Sequence, residues 1–243
     1  MNYQNKNILI TGAYQGIGKA LVDFFIKEKA HLIITYHNHL EETKKVQEEI
    51  EKREKLQIDL VYLDLQNEQS IQEAFHYIKQ KYGNLDILIN NASLSLDNYY
   101  MDKTKKEFMK VLEVNILGTF LMIKYFSEIM HKGYIFNISS TDGIDTGNVY
   151  SIDYNVSKAG INILTKTISL DSDNTIISLC PNWVDTESTC LMDANYLKEE
   201  MKRVNQKELI KKETIAKVID ECIKRKTPSG SIIRIEGDKE WMN

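Results

Sequence analysis

The residues of this chain best suited to proton chemistry are a tyrosine, a lysine and a serine. Tyr154 and Lys158 stand four apart in Tyr154-Asn155-Val156-Ser157-Lys158, and Ser139-Ser140-Thr141-Asp142-Gly143 precedes them. On a helix, residues four apart share a face, so the phenol and the ammonium would point the same way. A free phenol titrates near ~10. A neighbouring positive charge favours the phenolate and brings the group toward a range useful for proton transfer. A strand-end serine facing that pair completes an acid/base arrangement.

The spacing alone does not single out this pair, because Tyr77…Lys81 and Tyr99…Lys103 share it. Tyr77 lies in a charged amphipathic segment, and Tyr99 follows Asp97 and Asn98 in a polar stretch. Both read as solvated surface pairs. Only Tyr154 follows an apolar run, Gly133 to Ile138, that reads as a buried strand ending at the serines. Beyond it, Val156, Ala159, Ile161, Ile163, Leu164 and Ile168 keep a helical rhythm.

A second motif opens the chain. Lys6 to Ile10 is a short apolar strand, followed by Thr11-Gly12-Ala13-Tyr14-Gln15-Gly16-Ile17-Gly18 and a helical pattern. A glycine-rich turn at a helix N-terminus lets backbone N–H groups meet a pyrophosphate. The Gly-x-x-x-Gly-x-Gly spacing is a variant of the dinucleotide fingerprint. Taken alone it is also compatible with a tight strand-to-helix turn.

Together the two motifs resemble the short-chain dehydrogenase/reductase family, in its 3-oxoacyl-[acyl-carrier-protein] reductase-like branch. Asn90-Asn91-Ala92 at the end of a fourth strand, Asn115 in the next helix and Pro181-Asn182-Trp183-Val184-Asp185-Thr186 match the family's order and spacing. The resemblance runs from about residue 6 to 236. It implies an α/β fold: a single doubly wound Rossmann-type domain over residues 1–243, its parallel seven-stranded sheet covered by helices on both faces, with a substrate lid at about 187–212. It also implies an NAD(P)(H)-dependent oxidoreductase interconverting a carbonyl and a secondary alcohol. Tyr154 would be the proton donor, and Ser140, the second serine, would hold the carbonyl oxygen, with Ser139 the structural alternative. Lys158 would lower the tyrosine pKa and bond the nicotinamide ribose, and Asn115 would anchor a relay water.

For the cofactor, the resemblance places Gly12, Tyr14, Gln15, Gly16, Ile17 and Gly18 in the pyrophosphate turn. Tyr36, His37 and Asn38 fall by the adenosine ribose, and Asp64 and Leu65 near the adenine. Asn91, Ala92, Pro181, Tyr154 and Lys158 approach the cofactor, and Val184 and Thr186 its carboxamide. Asp64 has a second reading as the cap of the helix after it. An acid closing the second strand would bond the ribose 2′-OH and select NAD. None occurs from His31 to Leu40, so NADP(H) is expected over NAD(H).

The lid carries Leu191, Met192, Tyr196, Leu197 and Met201, and the loop after Ala92 adds Leu94, Leu96, Tyr99 and Tyr100. A sugar site would want clustered amides and carboxylates; these residues suit a small apolar carbonyl compound, a 3-oxoacyl thioester first. Steroid-like or sugar ketones are the alternatives, as is a non-catalytic dinucleotide-binding module. Equally, these side chains pack the lid onto the domain or onto a second subunit. A homodimer or homotetramer is expected, although Glu236-Gly237-Asp238 lacks the family's double glycine, and Ser93 and Asn182 stand where glycine is common.

The elements that must position all this alternate along the chain. Strands at 31–36, 57–63, 85–90, 175–179 and 231–235 are separated by helices at 40–53, 67–81, about 103–131 and 214–226. Such alternation indicates a parallel sheet. In 243 residues the net charge is −4 with both signs interspersed, which argues against a nucleic-acid partner. No apolar run reaches membrane-spanning length, and the start has no signal-peptide shape. Three scattered cysteines suggest a reducing compartment, and the five histidines form no metal-ligand set. A cytoplasmic enzyme of a small-molecule substrate, without metal or membrane, is the expectation.

Overall fold

The computed structural model describes residues 2–238; the ends of the expected domain, residue 1 and residues 239–243, lie outside the described residues. The first half runs β1 (Asn7–Ile10), α1 (Gly16–Lys27), β2 (His31–Tyr36), α2 (Leu40–Glu54), β3 (Ile58–Tyr62), α3 (Glu68–Tyr82) and β4 (Ile87–Asn90). The second continues through α4 (Lys105–Leu112), a π-helical turn Glu113–Gly118, α5 (Thr119–Phe126), β5 (Tyr134–Ile138), α6 (Ile152–Ile168) and β6 (Thr175–Pro181). Then come β7 (Val184–Asp185), α7 (Glu187–Cys190), α8 (Ala194–Arg203), β8 (Ile210–Lys211), α9 (Lys212–Lys224) and β9 (Ile232–Ile235).

Seven strands form one parallel sheet in the order β3-β2-β1-β4-β5-β6-β9, the doubly wound arrangement expected. Strand side chains alternate between faces, and both faces here are covered. Ile8, Ile10, Leu32 and Ile34 pack with Phe25 of α1, Ile50 of α2 and Ile219 of α9. Leu9, Ile33 and Leu88 pack on the other side with Phe75 of α3 and Phe126 of α5. The strand order reverses between β1 and β4. Crevices at such switch points, beyond the strands' carboxyl ends, are where this class of sheet binds ligands.

The helix expected at about 103–131 starts after a capping box of Thr104 and Glu107 and stays helical to Ile129, with the π-helical turn inserted between α4 and α5. The expected lid segment, 187–212, holds the short helices α7 and α8 and the strand β8, which returns to pair in parallel with β7. The replacement of glycine at Ser93 and Asn182 causes no strain, since neither adopts a left-handed backbone. Among the described residues, no helix is long and apolar enough to cross a membrane.

Candidate active site

The glycine turn is built at the β1/β4 junction. Thr11 Oγ1 accepts the N–H groups of Asn91 (3.0 Å) and Ala92 (2.9 Å), and Asn91 Nδ2 donates to the carbonyls of Thr11 and Gly12, both at 2.9 Å. Gly12 and Gly16 have φ of +67° and +56°, and a Cβ on Gly18 would lie 2.1 Å from the Gly12 carbonyl oxygen. Only glycine meets both demands. The N-cap residue of α1, Gln15, makes no side-chain cap. Instead the Gly16 N–H donates to Glu187 Oε2 at 2.7 Å, and Lys212 Nζ donates to Glu187 Oε1 at 2.8 Å. The Lys212 ammonium holds this carboxylate below its ordinary range. An anion therefore already sits on the positive end of α1, the place and charge a pyrophosphate requires. The residues present fit a dinucleotide.

At the far end of the crevice, polar contacts register α6 on the sheet. Asn90 Nδ2 donates to Asn137 Oδ1 (2.8 Å), Asn137 Nδ2 to Thr165 Oγ1 (2.9 Å), and Ser178 Oγ to Asn162 Oδ1 (2.7 Å). The serine pair divides its labour. Ser139 Oγ donates to the Lys158 carbonyl at 2.9 Å, and its residue is buried. A Cβ at Gly143 would meet the Lys158 carbonyl carbon at 2.5 Å, so glycine is what lets the turn after Ser140 lie against α6. Ser140 is left facing Tyr154, whose pKa its side chain pulls down.

The electrostatics differ from the simple pairing inferred from spacing. Lys158 Nζ lies 5.1 Å from the Tyr154 ring centroid but donates to the Ile138 carbonyl at 2.8 Å. Burial pushes the Tyr154 phenol well above its ordinary value, the Asp142 charge adds to the rise, and Ser140 opposes it. Burial also brings Lys158 down to about 8. Desolvation, rather than the ammonium, sets the direction for the tyrosine here.

Asn115 falls in the π-helical turn, behind the cleft rather than on its wall. Its Oδ1 accepts from Leu94 N at 2.8 Å, and its Nδ2 donates to the Leu94 carbonyl and Ser157 Oγ, each at 2.9 Å. It thus ties the loop after β4 to α6.

The remaining anticipated residues border one cleft of about 910 Å³: Gly12, Tyr14, Gln15, Gly16, Ile17, Gly18, Tyr36, His37, Asn38, Asp64, Leu65, Asn91, Ala92, Ser140, Tyr154, Lys158, Pro181, Val184 and Thr186. The cap of α3 is Asn67, which accepts from the N–H groups of Gln69 and Ser70, so Asp64 does not take that role. Asp64 Oδ2 instead lies 3.6 Å from His37 Nε2. Several cleft residues were not anticipated. His39 stacks on Tyr14 at 4.4 Å, and Asp97 and Asp142 stand near Ser140 and Tyr154. Asp142 occupies a variable place inside the serine motif, where spacing says nothing about side-chain type. Of the apolar set, Leu94, Leu191, Met192 and Tyr196 reach the cleft; Leu96, Tyr99, Tyr100, Leu197 and Met201 do not.

The family pattern described as short chain dehydrogenase matches residues 6–196. With the doubly wound sheet and the dinucleotide-type cleft, this assigns the chain to the short-chain dehydrogenase/reductase family, whose members are NAD(P)-dependent oxidoreductases. It is 33% identical over 195 residues to the 3-oxoacyl-[acyl-carrier-protein] reductase FabG of Aquifex aeolicus, covering 78% of each chain. It is 28% identical over 191 residues to glucose 1-dehydrogenase 2 of Bacillus subtilis, covering 75% of this chain and 73% of that one. A short chain dehydrogenase from Burkholderia cenocepacia, solved in complex with NADP, superposes with a TM-score of 0.90 at 21% identity, over 98% of this chain and 99% of that one.

Proposed function

We propose that this protein is an NADP(H)-dependent reductase or dehydrogenase interconverting a ketone and a secondary alcohol, with Tyr154 as its acid/base. What supports the reading is the meeting of Ser140, Tyr154 and Lys158 at one end of a cleft whose other end is the glycine turn. When bound, the nicotinamide supplies the hydride that the carbonyl carbon accepts. Tyr154 Oη gives its proton to the carbonyl oxygen, and Ser140 Oγ donates a hydrogen bond to that same oxygen. In the neutral ground state burial keeps the phenol protonated, as a general acid needs. Lys158, held by the Ile138 carbonyl, is placed to bond the ribose and to return a proton to the tyrosine. Asn115 is the proposed anchor of a relay water; with both side-chain N–H groups taken, that anchor falls to an oxygen. The oxidation uses the same groups in reverse.

The NADP(H) reading rests on the end of β2. Tyr36 closes that strand where an acid would select NAD, and the neighbouring His37 and Asn38 are exposed hydrogen-bond donors beside the cleft. The expected result is a higher kcat/KM with NADPH than with NADH. A preference for NADH would overturn it.

Two substrate readings compete. A 3-oxoacyl thioester is supported by the reductase relative from Aquifex aeolicus and by Leu94, Leu191 and Met192 on the cleft wall. A hydroxylated ketone is supported by the glucose dehydrogenase relative and by the acids beside Tyr154. Reductase assays of the purified protein against simple ketones, oxoacyl thioesters, quinones and sugars test the reaction class. Carbonyl-dependent oxidation of NADPH is expected. Its absence across the whole panel would favour the non-catalytic binding module.

A further inference from the structure

Asp142 sits two residues after Ser140, in the turn that lies against α6. Its Oδ1 accepts from Thr146 Oγ1 at 2.8 Å, and the Thr146 carbonyl accepts from Arg203 Nη2 of α8 at 2.6 Å. The carboxylate is therefore fixed from two directions, by its own loop and through the lid. Asp97 borders the same cleft, and its Oδ1 accepts from Ser95 Oγ (2.8 Å) and Ser151 Oγ (2.7 Å). Among the described residues, nothing donates to the Oδ2 of either carboxylate. Both acids line the cleft that Ser140 and Tyr154 also border. Asn148 and Ser151 also line the cleft.

We infer that this site selects a carbonyl compound carrying hydroxyl groups next to the reacting carbon, a keto-sugar or short polyol ketone, with Asp142 as its specificity-determining acceptor. The inference rests on the oxidoreductase reading above. The polar groups that a sugar site requires, Asp97, Asp142 and Asn148, are gathered on the cleft by the fold from the loops after β4 and β5.

The alternatives fit less well. An acyl chain would cover Asp142 without giving its free oxygen a donor, and an unpaired buried acceptor is costly. Burial already raises Asp142 above the ordinary carboxylate range, so further desolvation by an apolar group would work against binding. An anionic substrate would meet two carboxylates. A neutral hydroxyl satisfies the free oxygen without that conflict.

The test compares NADPH-dependent kcat/KM for dihydroxyacetone and a ketohexose with that for an unhydroxylated ketone of matched length, an amino ketone and an acetoacetyl thioester. The wild-type protein should favour a hydroxylated ketone by at least about tenfold, the scale of one hydrogen bond to a charged acceptor. Asp142→Ala should lower that ratio by a similar factor, chiefly through KM. Asp142→Asn, which keeps an acceptor oxygen, should lower it less. NADPH binding and thermal unfolding establish that the variants are folded, and wild-type selectivity is decisive even if a variant does not fold. A wild-type preference for the thioester, the plain ketone or the amino ketone overturns the inference alone, as does a ratio unmoved in Asp142→Ala. Failure to reduce any carbonyl overturns the oxidoreductase reading, and this inference with it.

Discussion

Tyr154→Phe should lower turnover by at least ~10²-fold, the usual contribution of a positioned general acid, while NADPH still binds. Phenylalanine keeps the ring that packs 5.1 Å from Lys158 Nζ and removes only the exchangeable proton. Steady-state rates and cofactor binding measured on the same preparation separate the two effects. Retention of more than about a tenth of the wild-type rate would rule out the tyrosine as the acid. Tyr77→Phe is the matched control. Tyr77 is exposed, accepts a hydrogen bond from Lys81 at 3.2 Å and stands outside the cleft, so its loss should leave the chemistry unchanged.

The largest stability effect is expected at Lys103. Its Nζ lies 3.1 Å from Asp153 Oδ2, with side chains only 3% and 0% exposed, and that carboxylate oxygen has no other partner. Lys103 also donates to the Leu96 carbonyl. The pair therefore pins the loop after β4 to the first turn of α6, one residue before Tyr154. Breaking a buried ion pair by removing one partner leaves an uncompensated charge and costs about 3–5 kcal/mol. Lys103→Met should therefore unfold at a temperature lower by roughly 10 °C, given the response usual for a chain of this size. Replacing both partners with apolar residues should recover much of the loss. Denaturant unfolding checks this, and a change below about 1 kcal/mol would mean that the pair behaves like an exposed one.

Lys103 also shows where the sequence could be read and where it could not. The strands were legible because a sheet covered on both faces needs near-continuous apolar runs, and the serine, glycine and asparagine motifs were legible because they sit at strand ends that pattern can locate. Nearly every anticipated cofactor residue borders the cleft for that reason. What could not be read depended on contacts between distant segments. Tyr99…Lys103 resembled a helical surface pair, yet Tyr99 lies outside any helix and packs 5.8 Å from Tyr150, while Lys103 turns inward to Asp153. Nothing in Leu112-Glu113-Val114-Asn115 announces a π-helical turn; the turn coincides with Asn115 bonding both to Leu94 and to Ser157. Pairing of β7 with β8 involves two residues on each side, too few for a periodic signal. The two acids on the cleft were hidden in the same way, since Asp97 and Asp142 are brought to it only by the fold.

The measurement that bears most directly on the central claim uses NADPH carrying deuterium at the transferable position of the nicotinamide. With a turned-over ketone, one equivalent of alcohol should form per NADPH consumed, with deuterium on the carbinol carbon, and Tyr154→Phe should form almost none. NADPH consumption without deuterated alcohol, or product formed by Tyr154→Phe at the wild-type rate, would contradict the account.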